Sequence, residues 1–287
     1  MKKEVIEALA AEYPQLYLNP DRDSQEMYRN VVLRGMEPET KDLSHFQGDD
    51  FDRLQMVDTP AGPVRAATLG CRHDYELAIR SFMAAKEGPL APVPESQGAS
   101  MITVFNWPRI HAHMAKFPAS EQSEEFKRFT SVKANYIDML VLLSRGPYSH
   151  VSAEAAGETE EEWLEHSDII RRYHELTHVI CRRLYPDRID KIRDELVADA
   201  VGLFAAYGCF DLDKEMLFLG ISDGKYIGGR LENYTDDPEG MAGAVCEELE
   251  RIGLIVEAHS IHKTDIAQVQ SPFELIPPLM EPLMEQG

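Results

Sequence analysis

The sequence predicts an α+β fold that is mainly helical, with a small β-sheet. Two observations carry this. Most of the chain consists of segments with apolar residues at helical spacing, closed by glycine or proline. A few short runs, residues 101–105 (MITVF) above all, are instead rich in β-branched and aromatic residues. No internal repeat or low-complexity tract competes with this pattern.

Taken in order, residues 3–13 and 24–34 read as short helices, the second ended by Gly35. Residues 44–62 are polar, carry Gly48, Asp49 and Asp50, and close on a turn from Pro60 to Pro63, so they read as a loop. Residues 64–69 read as a short strand and 74–86 as a helix stopped by Gly88. The segment 88–98 (GPLAPVPESQG), with three prolines and two glycines, reads as a linker or long surface loop. After the strand at 101–105 come helices at 108–116 and 121–144, the second ending at Gly146-Pro147, then a loop to 159. A long helix spans 160–184 with Thr159 as its N-cap and the acidic run 158–162 at its start, where carboxylates suit the macrodipole. Pro186-Asp187 breaks it, and a further helix runs over 188–207 to a Gly208 C-cap. A short helix near 212–219, a glycine-rich loop over 220–240, and helices at 240–258 and 272–285 complete the chain. Residues 1–90 form a mostly helical N-terminal region on this reading, and 91–287 the region that carries the chemistry.

Composition excludes several classes of function. Fifty Asp and Glu stand against 29 Lys and Arg in 287 residues, a formal net charge of -21. Such a field repels phosphate backbones and anionic lipid, so neither a nucleic acid nor a membrane is expected as partner. No run approaches the ~18 apolar residues of a membrane span. The N-terminus, MKKEVIEALAAEYP, begins basic, but Glu4, Glu7 and Glu12 interrupt any apolar run; it reads as an amphipathic helix and not a signal peptide. Cys71, Cys181, Cys209 and Cys246 are widely spaced, form no CxxC pair and read as reduced thiols. The expectation is a soluble, cytoplasmic protein.

The long helix contains Tyr173-His174-Glu175-Leu176-Thr177-His178, an HExxH motif. Residues four apart lie one helical turn above each other, so both imidazoles project from one face and can converge on one metal ion. Glu175 is rotated by about 100° from His174, beside that position, as a general base requires. Chance alone yields the motif in roughly 4% of chains of this composition, so its context decides. The next helix reads Asp194-Glu195-Leu196-Val197-Ala198-Asp199. With a tight turn at 185–187, His178 lies roughly 9 Å before the turn and Glu195 roughly 10 Å after it. His174 and Asp199 likewise face each other at about 15 and 17 Å. Glu195 can then complete a His₂Glu zinc site, Asp199 can hold the outer nitrogen of His174, and Gly202 lets the helices approach.

HExxH followed by a separate helix carrying E-x-x-A-D resembles the gluzincin metallopeptidases, the thermolysin-like group, over about residues 170–205. The resemblance implies a zincin-like core in which these two helices pair. It implies zinc held by His174, His178 and Glu195, Glu175 as the base, Asp199 as the supporting carboxylate, and a peptide or protein as substrate. Cys181 stands where the longer HExxHxxGxxH pattern has its glycine, so a metzincin is excluded. No spacing rule identifies the group that stabilises the oxyanion. Tyr226, Arg230 and Tyr234 are of suitable chemistry, with His259 and His262 as alternatives. The His111–His113 pair points in different directions on a helix and reads as surface or core. His150, in the loop before the long helix, is placed to enter the cleft, but the ordinary surface or core reading is favoured. The strand at 101–105 suits either an ordinary core strand or an edge that pairs with extended substrate. The leading expectation is a zinc-dependent hydrolase, a metallopeptidase. Two alternatives remain: a zincin-like metal-binding regulatory or interaction protein without appreciable turnover, and a metal-dependent amidase acting on a small molecule.

Overall fold

Four consecutive residues, 140–143 (LVLL), are fully buried, and they decide how the first half of the chain is built. The computed structural model describes residues 3–83, 92–94, 97–187, 190–261 and 271–281. The chain divides into two compact units, Met1–Val57 with Val64–Arg145, and Asp58–Pro63 with Gly146–Gly287.

The first unit begins with α1 (Glu4–Glu12) and α2 (Gln25–Tyr28), the latter running on into a π-turn at Arg29–Leu33. Gly35 follows at φ 68°, a left-handed conformation that only glycine adopts without cost. The order then runs β1 (Arg53–Val57), β2 (Val64–Leu69), α3 (Arg72–Met83), β3 (Ala99–Phe105), α4 (Trp107–Met114), α5 (Ala119–Thr130) and β4 (Ile137–Ser144). The strands form one mixed sheet in the order β1-β2-β4-β3. β2 and β4 are parallel, with Ala67 opposite Leu142, while β1 and β3 are antiparallel edges. Ile6, Leu9 and Leu16 pack with Leu69, Tyr75, Leu140 and Leu142 into the core of this unit.

Two expectations are corrected here. The helix expected over 121–144 ends at Thr130, and residues 137–144 are β4. A central strand covered on both faces reads as a continuous apolar run, which periodicity cannot tell from a buried helix. The polar loop expected over 44–62 contains β1, an edge strand with three exposed residues of five and therefore little apolar signal. The first unit runs to Arg145, because β3 and β4 complete the sheet that β1 and β2 begin. Of the proline-rich segment 88–98, residues 88–91 and 95–96 lie outside the described residues.

The second unit contains α6 (Ala153–Ala156), α7 (Glu160–Leu184), α8 (Lys191–Tyr207) and α9 (Leu212–Leu219). A two-residue hairpin, β5 (Ile221–Ser222) and β6 (Lys225–Tyr226), follows, then α10 (Pro238–Ile261) and α11 (Ile276–Met280). The expected end of the last helix, 282–285, lies outside the described residues. The expected caps are present. Thr159 Oγ1 accepts from Glu162 N–H while Glu162 accepts from Thr159 N–H, a complete capping box. Gly208 closes α8 at φ 72°. Among the described residues no helix is long and apolar enough to cross a membrane.

α7 and α8 pack as a hairpin, and Gly202 sets their separation. A Cβ there would lie 2.8 Å from the backbone oxygen of Ile170, a rigid neighbour. Gly202→Ala is therefore expected to cost about 1–3 kcal/mol in denaturant unfolding, as overpacking does. An unchanged midpoint would show that the pair can slide apart freely.

Candidate metal centre

The α7–α8 hairpin brings three donor groups together. His174 Nε2 and His178 Nε2 lie 2.9 Å apart, and Glu195 Oε2 lies 3.4 and 3.7 Å from them. Zinc bonds of about 2.0–2.1 Å in a tetrahedron set ligand atoms about 3.3 Å apart, so the triad has the dimensions of such a face. These three side chains can hold a metal ion.

The outer nitrogens explain why the inner ones face each other. His174 Nδ1 is 2.7 Å from Asp199 Oδ1, and His178 Nδ1 is 2.8 Å from Asp194 Oδ2. A carboxylate only accepts, so each Nδ1–H donates to it and each Nε2 lone pair is turned inward. Two inward lone pairs 2.9 Å apart repel unless a cation or a proton lies between them. Burial and the charge of His178 pull the His174 pKa down. Burial also opposes charging of His178, but its bonds to Asp194 and Glu195 push it up to about 10. Burial opposes the charge on Glu195 too, yet the two imidazoles hold its carboxyl well below the usual range.

Charge counting points the same way. Asp194, Asp199 and Glu195 touch the imidazoles, and one guanidinium, Arg230, answers them at Asp199. Carboxylates thus outnumber guanidinium groups around the imidazoles, and a cation held between them offsets that excess.

Asp199 is fully buried and collects a network of its own. Tyr148 Oη donates to Asp199 Oδ1 at 2.5 Å and lies 3.0 Å from His174 Nδ1. Arg230 donates to Tyr148 Oη at 2.7 Å through one terminal nitrogen and to Asp199 through the other. Burial pushes the Tyr148 phenol well above its usual range, so it remains a donor. Tyr148 enters from the 310 turn Tyr148–His150, where Ser149 and His150 both take positive φ and His150 turns out to solvent.

The sequence-predicted residues divide accordingly. His174, His178, Glu195 and Asp199 meet as the spacing requires, although α8 begins at Lys191, three residues later than expected. Glu175 is half-buried on the neighbouring face of α7, and its charge is felt at His174. Tyr234 lies against Glu195; burial, opposed by Arg230 and aided by Glu195, pushes its phenol above the usual range. Arg230 is not a free donor, because both its terminal nitrogens are engaged behind His174. Tyr226 is not brought to the imidazoles either: its hydroxyl is held by Gly229 and Glu232 within the hairpin loop. His259 is half-buried in the last turn of α10, and His262 lies outside the described residues.

Three contributors had little or no signal in the sequence. Asp194 adjoins Glu195, and only the helix crossing shows that it faces His178. Tyr148 reaches His174 across a turn that spacing does not describe. Glu215 did leave a trace, since it occupies the buried stripe of α9 with Phe218 and Leu219. It is fully buried, and neither carboxyl oxygen has a hydrogen-bond partner among the described residues. Burial, then the charge of Glu195, pushes its pKa well above the usual value, which favours the neutral carboxyl in the folded chain. On unfolding above pH ~4.3 it ionises, so its presence weakens the fold progressively as pH rises from there towards the raised folded value. Glu215→Leu, in chelator-treated protein, is expected to raise stability by about 1–3 kcal/mol at pH 8. The gain shrinks towards pH 4; a gain that does not change with pH would remove this account of Glu215.

Neither a curated protein nor a solved structure matches the chain. A family model matches residues 1–271, running through both compact units and through every residue of the centre. The chain therefore belongs to DUF7005, a family of unknown function.

Proposed function

We propose that the chain is a zinc-dependent hydrolase, a metallopeptidase acting on a peptide or protein in the cytoplasm. One observation carries the reading: two imidazoles whose outer nitrogens are pinned by carboxylates turn their free lone pairs onto one point beside Glu195. The gluzincin-like order of HExxH and E-x-x-A-D supports it, and four uncrosslinked cysteines support the compartment. His174, His178 and Glu195 would hold the ion. Bound there, zinc supplies a water made acidic near neutral pH and a Lewis acid for the scissile carbonyl.

The protein's own residues do the rest. Glu175 accepts the proton of the attacking water and returns it to the leaving amine. Asp199, Tyr148 and Arg230 fix the ring of His174, and Asp194 fixes that of His178, so the donors are aimed before any ligand arrives. Tyr234, kept protonated beside Glu195, is the donor assigned to the developing oxyanion.

The test is metal content by mass spectrometry on protein purified without chelator. His174→Ala is expected to lose one equivalent of zinc relative to the wild type, and Glu195→Ala to hold it more weakly. Equal zinc in wild type and His174→Ala would defeat the reading.

A further inference from the structure

A second group of donors lies in the first unit, at the carboxyl end of β2. The strand ends at Leu69, Gly70 turns the chain, and Cys71 precedes the first turn of α3. Ligand atoms of Cys71, His73 and Asp74 all lie within 4.8 Å of one another. β2 runs parallel to β4, and the carboxyl ends of parallel strands are where α/β sheets place their sites.

Each donor is held differently. Asp74 is fully buried, and the loop above it fixes its carboxylate: Gln47 N–H donates to Oδ1 at 2.9 Å and Gly48 N–H to Oδ2 at 2.7 Å. Its Oδ1 lies 3.1 Å from His73 Nδ1. His73 is exposed and Cys71 half-buried, with Sγ 3.6 Å from Gln47 Oε1, so the group is open to solvent on one side.

The surroundings are crowded with negative charge. Asp52 accepts from Gly70 N–H at 2.8 Å, and the Asp49 side chain packs on Gly70 so closely that a Cβ would strike it. Burial, then the charges of Asp49 and Asp74, pushes the Asp52 carboxyl above its usual range against the pull of two backbone N–H groups. Carboxyl groups gathered around one turn in this way favour a cation beside them. The N-terminus of α3 opposes one, but that effect fades within a helical turn and is set against three carboxylates.

We propose that Cys71, His73 and Asp74 form a second metal site, which takes a thiophilic divalent ion of the zinc class. A thiolate, an imidazole and a carboxylate together select such an ion over magnesium or calcium, which prefer oxygen alone. Binding replaces the thiol proton of Cys71, which leaves to solvent. Three protein donors leave one position for water or for the side-chain oxygen of Gln47.

Cobalt(II) titrated into the chelator-treated full chain tests the proposal, because the two sites differ in sulfur. The His174–His178–Glu195 triad has none, so a thiolate-to-cobalt charge-transfer band reports the Cys71 site alone. The band is expected to saturate at one equivalent while the wild type takes up two. Cys71→Ser should abolish it and leave one cobalt bound, and His174→Ala should leave it intact. His73→Ala, a change to an exposed side chain, should weaken the affinity read from the band by at least about tenfold without touching the fold. No band, a band that survives Cys71→Ser, or an affinity unmoved by His73→Ala would each overturn the proposal. None of these outcomes bears on the HExxH centre.

Discussion

Glu175→Gln is expected to keep its zinc and lose peptide cleavage by about 10²–10⁴-fold, the usual contribution of a positioned base. Glutamine has the same shape but cannot take a proton. Metal content is unaffected because Glu175 stands outside the donor triad, on the helical face next to it. Stability should also hold to within about 0.5 kcal/mol, since Glu175 is only half-buried and anchors no buried network among the described residues. The measurement is a peptide-library cleavage assay beside metal analysis of the same preparation. A variant that cleaves at the wild-type rate would remove Glu175 as the base. A variant that loses its zinc would instead make Glu175 a structural support of the centre.

Asp199→Ala is expected to cost about 3–5 kcal/mol of folding stability in the chelator-treated chain, the penalty for breaking a buried ion pair from one side. The loss is large because three groups depend on this carboxylate: His174 Nδ1, the Tyr148 hydroxyl and the Arg230 guanidinium. Arg230 would remain mostly buried without the carboxylate it is paired with. Asp199→Asn keeps an acceptor oxygen and the same volume, so its main effect should fall on zinc affinity, lowered about 10–100-fold as the aim of His174 loosens. The double variant Asp199→Ala/Arg230→Met should recover part of the stability, because removing both charges leaves no unpaired buried charge from the Asp199–Arg230 pair. Urea unfolding of the four proteins separates these terms. A cost for Asp199→Ala below about 1 kcal/mol would show that water reaches this network and that the buried pair is not what holds it.

The helical frame of the centre is legible in the sequence because its determinants are local. Thr159 and Glu162 cap α7, Gly208 ends α8, and a four-residue interval places His174 over His178 without reference to the rest of the chain. The pairing with Glu195 and Asp199 is nearly as local, since a short connection between two helices forces them antiparallel and spacing then sets the level. The same locality misleads at residues 137–144, where LVLL is apolar at every position and only its neighbours in the sheet, β2 and β3, make it a strand. Composition likewise identifies Tyr226, Arg230 and Tyr234 as suitable donors without separating them. The fold ties Tyr226 to its own hairpin, sets Arg230 behind His174 and leaves Tyr234 against Glu195.

The sequence by itself thus determined the face that carries His174 and His178, its helices and their caps, because each depends on residues within a turn or two of one another. Only the tertiary structure decided what stands behind that face. Tyr148 lies 26 residues from His174, and Arg230 lies 31 from Asp199. Contacts at such separations are set by the packing of whole elements, and no periodicity in the chain encodes them.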